Sequence, residues 1–206
     1  TAISVNLFVL QYGDYDLAGK GYEVAEDCIP YDDQFDVTDL LWTDADNEIK
    51  KICLGDYVLD VPITLNSGVE NLTFVCEEGT KFIAGASETA IILESGNIEI
   101  NGCEFEGFGN DDMMDDNPNT LRAAIEDDVI DLNTYESISI LSNIFTNNER
   151  SIALKGVKEN AFGDAAFMLS YNTFQNDDIF LEQNDYELST ALYLSNIQGD
   201  ISVNDN

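Results

Sequence analysis

Short apolar segments with a shared pattern recur along the chain. Residues 138–148 read ISILSNIFTNN, residues 167–177 read FMLSYNTFQND, and residues 191–199 read ALYLSNIQG. Two earlier segments, IEINGCEFEGFGN at 98–110 and LTFVCEE at 72–78, have the same outline but carry cysteine where the later segments have asparagine. A recurring period in the twenties, made of short strand-forming segments, is typical of a solenoid whose successive coils stack on one another.

Aligning these segments produces one column of cysteine and asparagine. Its members are Cys76, Cys103, Asn143, Asn172 and Asn196, at steps of 27, 40, 29 and 24 residues. In stacked coils such a column becomes a ladder in space, with neighbouring strands about 4.8 Å apart. Asparagine suits a bend between strands, because it tolerates left-handed backbone and its side chain hydrogen-bonds to nearby backbone groups. The column therefore predicts an internal ladder.

The four cysteines, Cys28, Cys53, Cys76 and Cys103, all lie in the first half of the chain. An even number without a C-x-x-C pair allows two disulfides in any of three pairings, and buried free thiols are the alternative. Cys76 and Cys103 are neighbours in the predicted ladder, so a bond between them is feasible if their side chains point toward each other.

The segments ICLGDYVLDVPITL and NLTFVCEEGTKFIAG, within residues 52–85, resemble the opening coils of the pectin lyase-like superfamily. The resemblance covers about residues 40–206, and it implies an all-β, right-handed parallel β-helix with an N-terminal cap. At roughly 25 residues per coil, we expect about six coils. The superfamily contains lyases, hydrolases, esterases, phage tailspikes, adhesins and proteins without enzyme activity, so the resemblance implies no particular activity.

We expect an N-terminal arm and cap at 1–45 and the β-helix at 46–206, with an acidic loop inserted near 107–120. Residues 36–50, DVTDLLWTDADNEIK, combine N-cap residues with an apolar centre and predict a short capping helix, with a strand-containing cap as the alternative. The arm packs along the solenoid or pairs with another molecule. The alternating apolar residues of the arm are Ile3, Val5, Leu7 and Val9.

The chain carries 41 acidic and 8 basic residues and no histidine, for a formal net charge of −33. This field repels nucleic acids and anionic membranes, and no apolar run approaches the roughly 20 residues of a membrane span. We therefore expect no nucleic-acid partner and no membrane insertion. Salt or bound divalent cations must offset the self-repulsion. Candidate calcium ligands are the loop residues Asp111, Asp112, Asp115 and Asp116, with a solvated acidic loop as the alternative; residues 126–133 are a weaker candidate.

Several catalytic classes are excluded or weakened by the composition. Without histidine there is no Ser-His-Asp triad and no histidine acid–base chemistry. A β-helix lyase would need a basic residue beside calcium-binding carboxylates, for which Arg150 and Lys155 are candidates. A hydrolase would need two carboxyl groups about 5 to 9.5 Å apart. Its candidates are Asp127 or Asp128 together with Asp177 or Asp178.

We favour a non-catalytic structural or surface protein: a filament, appendage or adhesin subunit stabilised by calcium or salt, without an organic cofactor. Its expected location is extracellular or at the cell surface, as a secreted mature chain without a signal peptide, and its expected partner is a second copy, joined through the solenoid ends or the arm. A carbohydrate-active enzyme would bring Arg150, Lys155 and at least two carboxylates into one groove. A carbohydrate-binding module would expose Tyr or Phe at coil spacing. Asn71, in Asn-Leu-Thr, is a candidate glycosylation site or an ordinary turn residue.

Overall fold

The computed structural model describes residues 28, 42–44, 47–109, 122–127, 135–155, 167–177, 190–195 and 200–206. Within these ranges the chain forms fifteen strands joined by turns and contains no helix. The strands are β1 (Trp42–Asp44), β2 (Asn47–Ile52), β3 (Asp56–Leu59), β4 (Ile63–Cys76), β5 (Lys81–Ala84), β6 (Ile91–Asn101), β7 (Glu104–Glu106), β8 (Ile125–Asp127), β9 (Tyr135–Leu141), β10 (Ile144–Thr146), β11 (Arg150–Leu154), β12 (Phe167–Ser170), β13 (Thr173–Gln175), β14 (Thr190–Leu194) and β15 (Ile201–Asn204).

Apart from β1, the strands pair in parallel and stack in three columns. The long strands β4 and β6 each pass through two columns, and each passage of the chain through a column is one rung. Column I contains β2, the second halves of β4 and β6, and then β9, β12 and β15. Column II contains β3, β5, β7, β10 and β13. Column III contains the first halves of β4 and β6, and then β8, β11 and β14. The chain visits the columns in the order I, II, III, so the predicted all-β parallel β-helix is confirmed.

Alternating side chains of each strand point into the coil and stack on their counterparts in the next coil. In column I, Phe74, Ile100, Ile140 and Leu169 share one register position and are all buried. Successive side chains of a strand point to opposite faces, so apolar residues at every second position all point into the interior of the coil. The column III counterparts are Ile63, Ile91, Ile125 and Ile152.

Column II contributes a stack of aromatic rings to the core. Neighbouring ring centroids are 5.8, 5.8, 5.3 and 4.9 Å apart. Each fully buried ring of this kind contributes about 1.5–3 kcal/mol relative to an exposed one. The members of the stack, in order, are Tyr57, Phe82, Phe105, Phe145 and Phe174.

The turn from column I to column II contains the asparagine ladder. The backbone N–H of Cys103 donates to Oδ1 of Asn143 at 3.0 Å, and the backbone N–H of Asn143 donates to Oδ1 of Asn172 at 2.9 Å. The next rung repeats the contact, since the N–H of Asn172 donates to Oδ1 of Asn206 at 3.0 Å. The residues before Asn143 and Asn172, Ser142 and Tyr171, have φ of 56° and 60°. This left-handed backbone turns the chain sharply from one column into the next.

The predicted last member of the ladder, Asn196, lies outside the described residues, and the alignment that selected it is wrong. Residues 190–194 pair with β11 in column III, whereas Ile201–Asn204 pairs with β12 in column I. The residue that follows Asn172 in the ladder is therefore Asn206. Both columns bury alternating apolar residues, so the apolar pattern alone does not assign a strand to its column.

Two disulfides are present among the described residues. Cys76 is bonded to Cys103, with their Cα atoms 5.1 Å apart, and Cys28 is bonded to Cys53, with their Cα atoms 4.9 Å apart. The Cys76–Cys103 bond connects consecutive coils at the start of the ladder. A loop of this length corresponds to about 3–4 kcal/mol in the chain-entropy account of disulfide stabilisation.

The predicted capping helix over residues 36–50 is wrong in its described part. Residues 42–44 form β1, which pairs antiparallel with β2, and β2 pairs in parallel with residues 71–76. Ladder pairing on both edges of β2 outweighs the helix propensity of the isolated segment, because propensity is only a weak preference. The remainder of 1–45, including Ile3, Val5, Leu7 and Val9, lies outside the described residues, as do residues 110–121 of the acidic insertion.

Candidate functional site

Three of the eight basic residues lie around two adjacent rungs of column III. Arg122 precedes β8, while Arg150 begins β11 and Lys155 directly follows it. β8 and β11 pair in parallel, with Ala153 opposite Glu126. The stacking therefore gathers basic residues beside the two carboxylates of β8, Glu126 and Asp127.

Glu126 is one of the two buried carboxylates of this cluster. Its Oε1 is 2.8 Å from Nη1 of Arg122, and its Oε2 accepts a hydrogen bond from the backbone N–H of Ala123 at 3.3 Å. Burial raises the pKa of Glu126 above its usual value, and this effect outweighs the lowering by the charges of Arg122 and Lys155 and by the hydrogen bonds. A buried carboxyl group with a raised pKa is a recognised feature of functional sites, although structural ion pairs produce it too.

The other members of the cluster are held by main-chain contacts. Both carboxylate oxygens of Asp127 accept from the backbone N–H of Lys155, at 2.9 and 2.7 Å. Nη1 of Arg150 donates to the backbone carbonyl of Arg122 at 3.0 Å. These bonds tie the ends of β8 to the ends of β11, so the cluster contributes to the stacking of the two coils.

The cluster combines the groups that the enzyme hypothesis required, but it leaves them little access to solvent. Glu126, Asp127, Arg150 and Lys155 are between 2% and 7% exposed. A polysaccharide must reach its acid and base directly, within hydrogen-bond distance or through one water molecule. The arrangement supports the fold through its contacts, and it presents only Arg122 to solvent to a substantial extent, with 43% of its side chain exposed.

The second pair of hydrolase candidates is only partly described. Asp177 follows β13, and its Oδ2 accepts from Nδ2 of Asn147 at 2.9 Å. The backbone N–H of Asp177 returns a bond to Oδ1 of Asn147 at 2.8 Å. Asp128 and Asp178 lie outside the described residues. Asp127 thus bonds to the backbone of Lys155, and Asp177 bonds to Asn147.

The predicted calcium ligands Asp111, Asp112, Asp115 and Asp116 lie outside the described residues, as do residues 128–133 of the weaker candidate. Within the described ranges, the one grouping of three potential metal-binding side chains is Cys28, Cys53 and Glu77. Both of its sulfur atoms belong to the Cys28–Cys53 disulfide, and metal binding by cysteine requires the thiolate. This grouping is therefore a disulfide beside a carboxylate.

Asn71 lies in β4, within a second polar ladder on the outer face of column I. Its Oδ1 accepts from Nδ2 of Asn97 at 3.2 Å, and Oδ1 of Asn97 accepts from Oγ of Ser137 at 3.1 Å. The Asn71 side chain is partly buried. The candidate glycosylation residue is thus part of a strand face rather than a turn.

Asn148 plays a similar part in the turn from column II to column III, and the sequence alignment missed it. Its Oδ1 accepts from the backbone N–H of Phe108 at 2.7 Å, and its Nδ2 donates to the carbonyl of Phe105 at 3.0 Å. Asn147, directly before it, has φ of 54°. The adjacent asparagines 147 and 148 could have identified this turn from the sequence. They repeat the arrangement of the first ladder, in which a residue with left-handed backbone is followed by a buried asparagine.

The aromatic residues that recur at coil spacing lie inside the stack. Phe82, Phe105 and Phe145 are buried, and the hypothesis of a carbohydrate-binding module required such residues on an outer face. Among the described residues, Tyr171 has its side chain half exposed, and it occupies a turn.

Comparisons with protein-family models, with curated proteins and with solved structures found no match. In the part of the chain that the structure describes, no helix has the length and apolar character that a membrane span requires.

Proposed function

We propose that this chain is a non-catalytic extracellular structural or surface protein of the pectin lyase-like superfamily, acting as a rigid subunit of a filament, appendage or adhesin. One observation supports this above all: the charged residues that an active centre would need are buried and bonded into the stack. Their contacts serve the coil-to-coil packing that makes the solenoid stiff.

The cysteines and the charge support the extracellular location. Within the described residues all four cysteines are bonded in pairs, and disulfides persist in oxidising compartments. A net charge of −33 favours a medium that contains salt or divalent cations, because either reduces the self-repulsion of the folded chain. Calcium bound to the acidic insertion remains part of this proposal.

Electron microscopy of the purified chain, with calcium and then with excess chelator, tests the assembly and the metal role together. We expect ordered oligomers or filaments that weaken on chelation. Assemblies indifferent to chelator would remove the metal role alone. Isolated single particles under both conditions would contradict the self-assembling part of the proposal.

A second candidate function, a carbohydrate-active β-helix enzyme, is favoured by the convergence of Arg150 and Lys155 with Glu126 and Asp127. A screen of neutral and acidic polysaccharides tests it, with Glu126→Gln as the variant and Glu78→Gln as the matched control, since Glu78 is exposed. Turnover that Glu126→Gln abolishes and Glu78→Gln preserves would replace the structural proposal by the enzyme. We expect no turnover with any of the three proteins.

A further inference from the structure

The two disulfides differ in how far solvent reaches them. Cys103 is fully buried and Cys76 is 7% exposed, whereas Cys28 and Cys53 are both partly exposed. Reduction requires a thiolate or another nucleophile to reach one of the two sulfur atoms of the bond. We therefore expect mild reduction to open the Cys28–Cys53 bond before the Cys76–Cys103 bond.

The carboxylate of Glu77 lies beside the more exposed disulfide. Both sulfur atoms, of Cys28 and Cys53, and a carboxylate oxygen of Glu77 all lie within 4.8 Å of one another. Ligand atoms on one tetrahedral zinc ion are about 3.5–3.8 Å apart, because the Zn–S distance is about 2.3 Å and the Zn–O distance about 2.0–2.2 Å. The three groups are thus close enough to share one ion once the sulfur–sulfur bond is broken.

Contacts other than the disulfide hold Cys53 and Glu77 in place. The carbonyl of Cys53 accepts from Oη of Tyr57 at 2.9 Å and from Oγ1 of Thr80 at 3.2 Å. Oε2 of Glu77 accepts from the backbone N–H of Leu54 at 3.0 Å. None of these hydrogen bonds involves a sulfur atom, so reduction leaves two of the three groups positioned by the stacking of the coils.

The charges of the grouping also suit a divalent cation. Two thiolates and one carboxylate carry three negative charges, and a zinc ion offsets two of them. Nζ of Lys51 is 3.2 Å from Oε1 of Glu77 and supplies the remaining positive charge. The net charge of −33 on the whole chain further favours the approach of a cation.

We propose that Cys28, Cys53 and Glu77 form a zinc-binding site when their disulfide is reduced, with water as the fourth ligand of the ion. Zinc binds both thiolate and carboxylate ligands in tetrahedral geometry. The disulfide excludes the metal from the oxidised chain, because metal binding by cysteine requires the thiolate. In the oxidising surroundings of the proposed function the site is closed, and a reductant opens it.

The conversion between the two forms balances with a phosphine as the reductant. Phosphorus attacks one sulfur atom, the sulfur–sulfur bond breaks, and water supplies an oxygen atom to phosphorus. The products are the phosphine oxide and the two thiols of Cys28 and Cys53. Zinc then displaces the two thiol protons and binds the sulfur atoms.

Cobalt absorption spectroscopy of the 206-residue chain tests the site. Co²⁺ replaces zinc and gives a near-ultraviolet charge-transfer band when thiolates bind it, whereas carboxylates give no such band. We expect the band after mild phosphine reduction, and we expect added Zn²⁺ to remove it. No band in the reduced chain, or an equal band in the unreduced chain, would overturn the proposal. So would a band that persists when Cys28→Ser and Cys53→Ser are combined.

Glu77→Gln tests the third ligand, with Glu78→Gln as the matched control. Glu78 is the next residue and is exposed, so both variants remove one negative charge from the same turn. Titrating the band with Co²⁺ should show unchanged affinity for Glu78→Gln. We expect affinity about tenfold or more weaker for Glu77→Gln, since even the outer partners of metal ligands contribute about 10–100-fold.

Equal affinities of the two variants would overturn the three-ligand site. Circular dichroism before and after reduction checks that the fold is retained. A loss of the strand signal that Zn²⁺ does not restore would also overturn the proposal.

Discussion

Replacing Asn172 by alanine tests whether the asparagine ladder holds the coils together. The side chain is 2% exposed and takes part in five hydrogen bonds. Its Nδ2 donates to the carbonyls of Ile140 and Ser170, and its Oδ1 accepts from the backbone N–H of Asn143. Alanine removes the donor and the acceptor while the backbone partners stay in place.

The magnitude follows from the groups that lose their partner. A buried polar group left unsatisfied costs about 1–3 kcal/mol. Two such groups, the N–H of Asn143 and the carbonyl of Ile140, belong to the coil directly before that of Asn172. We therefore expect Asn172→Ala to lower the free energy of unfolding by about 2–6 kcal/mol, a large part of the 5–15 kcal/mol typical of folded domains.

Urea unfolding followed by circular dichroism measures this loss. Gln175→Ala is the matched control, because its side chain also bonds to the preceding coil, through Oγ1 of Thr146, but in an exposed position. We expect the control to change stability by less than about 0.5 kcal/mol. If Asn172→Ala cost no more than the control, the ladder would not contribute to coil stacking and the reasoning would be refuted.

Three further predictions concern other parts of the stack. Phe145→Ala should cost about 3–5 kcal/mol in urea unfolding, because it leaves a cavity within the aromatic stack, whereas Tyr171→Ala, at a half-exposed residue, should cost much less. Burial raises the pKa of Glu126 in the folded chain above 4.5, so the stabilisation from its proton is present below pH 4.5 and is lost as the pH rises through the folded pKa. Unfolding measured over this pH range should therefore show Glu126→Gln gaining stability relative to the unaltered chain. Replacing Cys76 and Cys103 together by serine should cost about 3–4 kcal/mol, and equal unfolding midpoints would contradict this.

The ladder could be predicted from the sequence at the positions where asparagine has a role that few other residues can take. Asn143 and Asn172 follow left-handed residues and satisfy backbone groups of neighbouring coils, and few other side chains do this. The assignment of Asn196 to the ladder failed, because strands of columns I and III have the same alternation of apolar residues. The true continuation at Asn206 follows a step of 34 residues, and only strand pairing reveals which of two similar segments enters the column.

The charge cluster was less predictable than the fold. Arg150 and Lys155 stood out because basic residues are so scarce, but nothing in the sequence paired them with Glu126. Neighbours across coils depend on how many residues each loop inserts between rungs, and the insertion before β8 changes that number locally. The burial of the cluster is likewise a consequence of three-dimensional packing, which residue types alone do not determine.

Glu126 and the ladder asparagines satisfy their polar groups in different directions. Glu126 lies between Ile92 and Ala153 in column III, and neither side chain can hydrogen-bond to it. Its carboxylate therefore bonds within its own coil, to Arg122 and Ala123. Asn172, in contrast, bonds to groups in the coils before and after it. Within the charge cluster the bonds between consecutive coils come from Asp127 and Arg150, so Glu126 is satisfied inside one coil while its neighbours and the ladder join successive coils.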